Sequence, residues 1–202
     1  MRAYKFLDKH FGLKSLYERR LRVSTLDDLN DPFELLPYAM PRLGQQAAFH
    51  ELRDKPVKEK GVVCFSTTWA DPVVWAHYAD KHRGICLGFE IYNFQKVDYV
   101  KERLIFPSDI TLDALNAILS TKYENWQYEK EIRFWTRLDQ KEDGHYFYEF
   151  GDDLELCEVI LGARCTLPER EILRALGPLA KDVSIAKARA AFDKFEIVEQ
   201  SA

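Results

Sequence analysis

Residues 126–135 read WQYEKEIRFW, with Glu129, Glu131 and Arg133 spaced by two. In an extended strand successive side chains alternate faces. That spacing therefore puts the two carboxylates and the guanidinium on one face, with Lys130, Ile132 and Phe134 on the other. Like charges so close raise the pKa of one member, unless a cation such as Arg133 compensates. A carboxylate pair beside a cation is equipment for acid–base work or for stabilising a developing positive charge. The same residues also suit a plain cross-strand salt bridge. Trp126, Tyr128 and Trp135 flank them and are large and apolar for a solvated edge, which favours the lining of a cleft.

Three other clusters carry polar groups at informative places. Asn30-Asp31-Pro32-Phe33-Glu34 is a turn, because Asn and Asp bond their own backbone and Pro fixes φ. Its plain reading is a turn stapled to the core by Phe33, and its functional one puts Asp31 or Glu34 at the mouth of a site. Cys64-Phe65-Ser66-Thr67-Thr68 leaves an apolar strand in three hydroxyls. These either satisfy strand-end amides or hold a ligand or a carboxylate through Ser66 and Thr68. Trp75-Ala76-His77-Tyr78 continues to His82 on a helix, with His77 and Tyr78 on one side and Trp75 and His82 on the adjacent stripe. The two histidines are five apart, the wrong spacing for paired metal ligands on one helix, so no metal is expected.

The elements that must position these groups are legible from periodicity and punctuation. Residues 2–7 and 21–24 read as short strands, 10–20 and 41–54 as helices. The β-branched run 61–67 is a buried strand, and 85–91 is another, with 97–101 expected beside it. Asp71 as N-cap, Pro72 at the first helical position and Gly84 past the end predict a helix over about 72–82. A helix is expected over 111–123, strands over 128–136, 145–150 and 156–162, and a helix from Pro168-Glu169 to Gly177. VSIAKA and FDKFEIV finish the chain as strands. Strands and helices mix without regular alternation, and no linker or repeat interrupts them. The expected class is α+β: a single domain over 1–202, with a mixed, mostly antiparallel sheet and flanking helices.

Composition narrows the function classes. The 202 residues are 47% hydrophobic and 13% aromatic, enough for a real core. The net charge of −4 disfavours a dedicated nucleic-acid binder, and with it a nuclease. No apolar run reaches membrane-spanning length. The charged start MRAYKFLDKH does not read as a secretory leader, so a cytoplasmic location is expected. Four cysteines without CxxC spacing fit reduced thiols, with Cys64 and Cys86 inside apolar strands and expected to be buried. GxGxxG, GxxxxGK[ST], HExxH and GxSxG are all missing from the sequence.

Taken in order, Tyr4-Lys5-Phe6, LRVSTLDDLNDPFE, VVCFS, VVWAHYADKHRGICLGFE, WQYEKEIRFW and EVILG resemble a widespread bacterial family of conserved proteins without an assigned activity. Some of its members accompany phage-defence and abortive-infection loci. A remoter resemblance is to mono-ADP-ribosyltransferases. That fold carries an Arg or His on its first strand, a Ser-Thr-Ser-like element ending a core strand, and a Glu-x-Glu on a later strand. Lys5 stands in the first place here, Ser66-Thr67-Thr68 in the second and Glu129-Lys130-Glu131 in the third. The resemblance implies NAD as substrate. Glu131 would stabilise the oxocarbenium-like state, Glu129 would activate the acceptor, and Ser66 would hold Glu131. Lys lacks the bidentate fork of Arg, so Lys5 or Arg22 would meet the pyrophosphate. Trp75 or Tyr78 would stack on nicotinamide, with His77 and Arg133 completing the nucleotide contacts. The competing expectation is a non-catalytic module that binds a nucleotide or a macromolecular partner in the same cleft.

Overall fold

The structure, a computed structural model, describes residues 1–109, 111–139 and 141–200, the side chains of 55–57 left aside. The strands in chain order are β1 (Arg2–Leu7), β2 (Arg20–Val23), β3 (Tyr38–Ala39), β4 (Lys60–Ser66), β5 (Ile85–Ile91), β6 (Gln95–Lys96), β7 (Asp98–Val100) and β8 (Leu104–Ile105). They continue as β9 (Thr121–Tyr123), β10 (Glu131–Arg137), β11 (Lys141–Glu142), β12 (His145–Glu149), β13 (Leu154–Leu161), β14 (Ser184–Ala190) and β15 (Ile197–Glu199). The helices are α1 (Lys9–Glu18), α2 (Leu43–Glu59), α3 (Pro72–Tyr78), α4 (Leu112–Ser120) and α5 (Glu169–Leu176). The class is α+β, as expected. Eight strands form one sheet in the order β15-β14-β13-β5-β1-β4-β10-β6, antiparallel at every pairing except β13 with β14.

Period-2 alternation divides the sheet's side chains between two layers. On one face Val63, Phe65, Phe89, Ile132 and Phe134 pack with Leu16 of α1 and Ile172 and Leu176 of α5. Rings meet edge to face there, Phe65 on Phe89 and Phe134 on Tyr148. The other face has two covers. Phe6, Cys86 and Ile160 lie under Val74 and Trp75 of α3. Val62 lies under Phe49 of α2 and Ile118 and Leu119 of α4. Between these covers, β1 and β4 are partnered only at Tyr4 with Ser66, and Ser66 is in turn the cross-strand partner of Glu131. This splayed junction is where the candidate site forms.

Several expectations about elements change: the helix expected over 111–123 ends at Ser120, with 121–123 in β9, and of FDKFEIV only Ile197 and Val198 enter a strand. The strand of WQYEKEIRFW begins only at Glu131, because Glu124–Glu129 forms a 3₁₀ turn closed by Lys130 at a left-handed φ of 46°. Glu131 and Arg133 share a face by alternation, whereas Glu129 reaches them through the turn. Helix α3 stops at Tyr78, and Asp80, Lys81 and His82 follow with φ of 45°, 54° and 70°. Gly84 is therefore no helix cap. A Cβ there would meet the Leu7 carbonyl oxygen at 2.1 Å, so glycine permits the close approach that starts β5. The start of α3 holds as read, with Asp71 Oδ1 accepting from the Val73 and Val74 amides at 2.8 and 3.3 Å. Residues 97–101 do not pair with β5, whose edges are taken by β1 and β13; β7 pairs with β9 in a separate parallel ribbon. Likewise β12 joins β2 and β11 in a small sheet of its own.

Candidate functional site

A cavity of about 200 Å³ opens at the splayed junction. Tyr4 and Lys5 of β1, Ser66 of β4, Tyr78 of α3, Lys122 of β9 and the Glu129–Glu131 corner line it. Asp28, Asp31 and Glu34 close it from the NDPFE side, so its wall holds five carboxylates against two ammonium groups. Its size falls below the roughly 300–1,000 Å³ of pockets for drug-sized ligands. It suits a small ligand or a fragment of a larger one.

The floor is a buried ion cluster. The Lys122 ammonium donates to Glu129 Oε2 at 2.6 Å and Glu131 Oε2 at 2.7 Å, and stands 3.2 Å from Glu34 Oε1. Arg133 donates through Nε to Glu131 Oε1 and through Nη2 to Glu34 Oε2, both at 2.8 Å, and through Nη1 to the Leu119 carbonyl at 2.6 Å. Three carboxylates and two cations leave one negative charge unmatched. The Tyr78 hydroxyl donates to Glu129 Oε1. The Tyr99 hydroxyl accepts from the Glu131 amide at 2.8 Å. Segments near positions 34, 78, 99 and 122 and the start of β10 are thus tied at one point.

The two carboxylates respond oppositely to this setting. Burial on its own would raise the Glu131 carboxyl, but Arg133 and Lys122 overcome it and hold the group at about 2. Glu129 lacks contact with Arg133, and burial keeps its carboxyl above the usual carboxylate range despite Lys122. A pair of acids whose surroundings drive them apart supplies one permanent anion and one group able to exchange a proton. Burial, with help from Glu129, also raises the Tyr78 hydroxyl, which keeps it a donor. Burial and the neighbouring Glu131 charge raise the Cys64 thiol.

The structure brings Glu129, Glu131, Ser66, Lys5 and Tyr78, with Asp31 and Glu34, to one cavity and leaves Arg22, Trp75, His77 and Arg133 outside its lining. Ser66 Oγ accepts the Thr68 amide at 3.2 Å, closing the strand end. The Lys5 ammonium points along β4 and donates to the Cys64 carbonyl at 3.1 Å. Trp75 is 0% exposed, edge-on to Phe6, with Nε1 donating to the Trp69 carbonyl; it has no free face for nicotinamide. His77 is exposed on the outer side of α3, its Nδ1 3.0 Å from the Tyr128 hydroxyl. Arg22 projects from β2 toward Asp28, 3.9 Å away, because β2 belongs to the small sheet. Arg133 is fully buried behind the carboxylates and positions them rather than touching a ligand. Phe33, read as a core staple, is 57% exposed; Asp31, Glu34 and Leu35 are the buried residues of that stretch. Cys86 is buried, while Cys64 is half-buried and reaches the cavity wall.

Sequence reasoning missed Lys122 and Tyr99. Each is a single polar residue in a short strand, and no local pattern distinguishes them. Among the described residues no group of three or more His, Cys, Asp or Glu side chains is set to hold a metal ion. The middle of the carboxylate cluster holds the Lys122 ammonium instead. Among the described residues no helix is long and apolar enough to cross a membrane. Compared with models of known families, with curated proteins and with solved structures, the chain matches none.

Proposed function

We propose that this cavity cleaves the N-glycosidic bond between nicotinamide and ribose in NAD, as an ADP-ribosyltransferase-like or glycohydrolase enzyme. The observation that carries it is the sharing of one ammonium by Glu129 and Glu131, at 2.6 and 2.7 Å, at a cavity also lined by Lys5 and Ser66. The excess of carboxylates favours the cationic nicotinamide ring and the positive charge that develops on ribose. In the step itself the C–N bond breaks heterolytically. Both electrons go to the ring nitrogen, and nicotinamide leaves neutral without needing an acid. Glu131, held ionised, faces the oxocarbenium-like ribose. Glu129 takes the proton from the attacking water or acceptor hydroxyl. The Tyr78 hydroxyl steadies Glu129. The family resemblance suggests phage defence or a toxin system as the setting in which consuming NAD would matter.

The test is nicotinamide release from NAD, followed chromatographically. Glu131→Gln is expected to lower the rate at least 100-fold. It also removes one of the two carboxylates that pair Arg133, so activity is read per folded molecule, with circular dichroism as the control. A wild type that shifts in melting temperature with NAD but releases no nicotinamide would replace this reading with the non-catalytic binding module. Unchanged turnover in Glu131→Gln would remove Glu131 from the mechanism.

A further inference from the structure

The acidic cavity is a poor seat for a phosphate, since five carboxylates line it. The phosphates of a nucleotide entering it must lie elsewhere. The neighbouring surface has the opposite character. A hollow of about 250 Å³ is lined by Phe33, Lys101, Arg103, Lys122 and Tyr123, with Glu102 as its one acid. A second, of about 270 Å³, is lined by Gln46, His50, Arg53 and Arg103. Arg103 and Leu36 border both hollows, and Lys122 borders both the first hollow and the acidic cavity. The three spaces therefore run in series along the chain from Asn30 to Met40.

Apart from Lys122, the cations of this groove are poorly matched from within. Arg103 lies over the Phe33 ring at 5.2 Å and, like Lys101, enters no ion pair among the described residues. Arg53 Nη2 is 3.7 Å from Asp27, and Arg53 Nε is buried with no hydrogen-bond partner among the described residues. A buried guanidinium N–H without an acceptor is costly, and an anionic oxygen would satisfy it. The planar fork of Arg matches phosphate oxygens in pairs.

We propose that the groove centred on Arg103 is a diphosphate subsite, seating the phosphates of a nucleotide whose sugar end occupies the acidic cavity across Lys122. It rests on the reading above for the identity of the nucleotide, and not for the binding of phosphate. It moves the phosphate contacts from Lys5 and Arg22 to Arg103, Arg53 and Lys101. The third space brings the room to that of a dinucleotide.

The experiment is titration calorimetry with inorganic pyrophosphate and with ADP-ribose, on wild type, on Lys101→Glu/Arg103→Glu and on Glu131→Gln. Lys101 and Arg103 are exposed, so the double variant is expected to fold, with circular dichroism as the check. Both probes are expected to bind wild type, and the double variant to bind each at least 10-fold more weakly. Glu131→Gln is expected to keep pyrophosphate affinity within about 2-fold while losing turnover. Wild type that binds neither probe, or a double variant that binds both as wild type does, overturns the subsite. Pyrophosphate binding lost in the double variant, with no nicotinamide release by wild type, keeps the subsite and sinks the enzyme.

Discussion

Replacing Lys122 by methionine keeps a chain of similar length and removes the one ammonium shared by Glu34, Glu129 and Glu131. The side chain is 8% exposed, so it is largely withdrawn from bulk water. The cluster then holds three carboxylates against Arg133 alone. Removing one partner of a buried ion pair costs about 3–5 kcal/mol, because the remaining charge is left uncompensated. A domain is stable by roughly 5–15 kcal/mol, so this is a large fraction of the whole. The pH dependence has a definite sign. In the wild type Glu131 is depressed from 4.5 to about 2, so its contribution is complete above 4.5 and is lost as pH falls toward 2. In Lys122→Met the surplus carboxylates take up protons at higher pH, which relieves the buried charge. The deficit is therefore expected to be largest at pH 7.5 and at least about 1 kcal/mol smaller at pH 5, near one pKa unit of relief. Urea unfolding at both pH values measures it. Adding Glu129→Gln to Lys122→Met should recover part of the loss at pH 7.5. A loss under about 1 kcal/mol at pH 7.5, unchanged at pH 5, would show that Lys122 does not hold these segments together.

Gly84→Ala is expected to cost at least about 1–3 kcal/mol, since its Cβ would press on the Leu7 carbonyl, a backbone atom that cannot rotate away; thermal melting reads it. The Cys86 and Cys165 thiols are buried, and burial raises that of Cys86 well above its ordinary value, so neither should react with a thiol reagent before unfolding. Mass spectrometry after a native labelling pulse checks that. Phe33→Ala should leave stability within about 0.5 kcal/mol, because the ring is mostly in solvent. A large loss would restore Phe33 as a core anchor.

The elements best read from sequence were those with a strong local rule. Asp71-Pro72 fixes the start of α3 because the cap and the missing proline N–H act within one turn. The apolar runs of β4 and β5 are strands because both their faces are covered. What failed depended on distant partners. Nothing in WQYEKE says that Lys130 will turn left-handed; its carbonyl accepts the Thr67 amide from another strand end. Gly84 looks like a helix terminator until Leu7 is known to lie against it. Of the candidate site, the carboxylates and Ser66 could be found because they sit at strand ends in a suggestive order. Trp75 was misassigned because an aromatic residue in a helix reads the same whether it meets a ligand or the core. Lys122 became visible only when four segments closed on it.

That closure bears on why the cluster is charged at all. Burying five ionised groups is expensive, and apolar residues of the same volume would often join the same segments as firmly. Arg133, with each of its three nitrogens engaged and no exposure, fits a purely structural role. Glu129, Glu131 and Glu34 also form part of the cavity wall, which a purely structural role does not require. A residue needed only as a strut can lie entirely behind the surface. Arg133 supplies the rigid backing, and Lys122 sets the separation of Glu129 and Glu131 by binding both. The arrangement holds an anion still at the edge of a small cavity, where reorganisation would otherwise oppose a developing positive charge. Lys122→Met should therefore damage turnover beyond its effect on folding, and nicotinamide release per folded molecule is the quantity in which that loss must appear if the carboxylates do the chemistry.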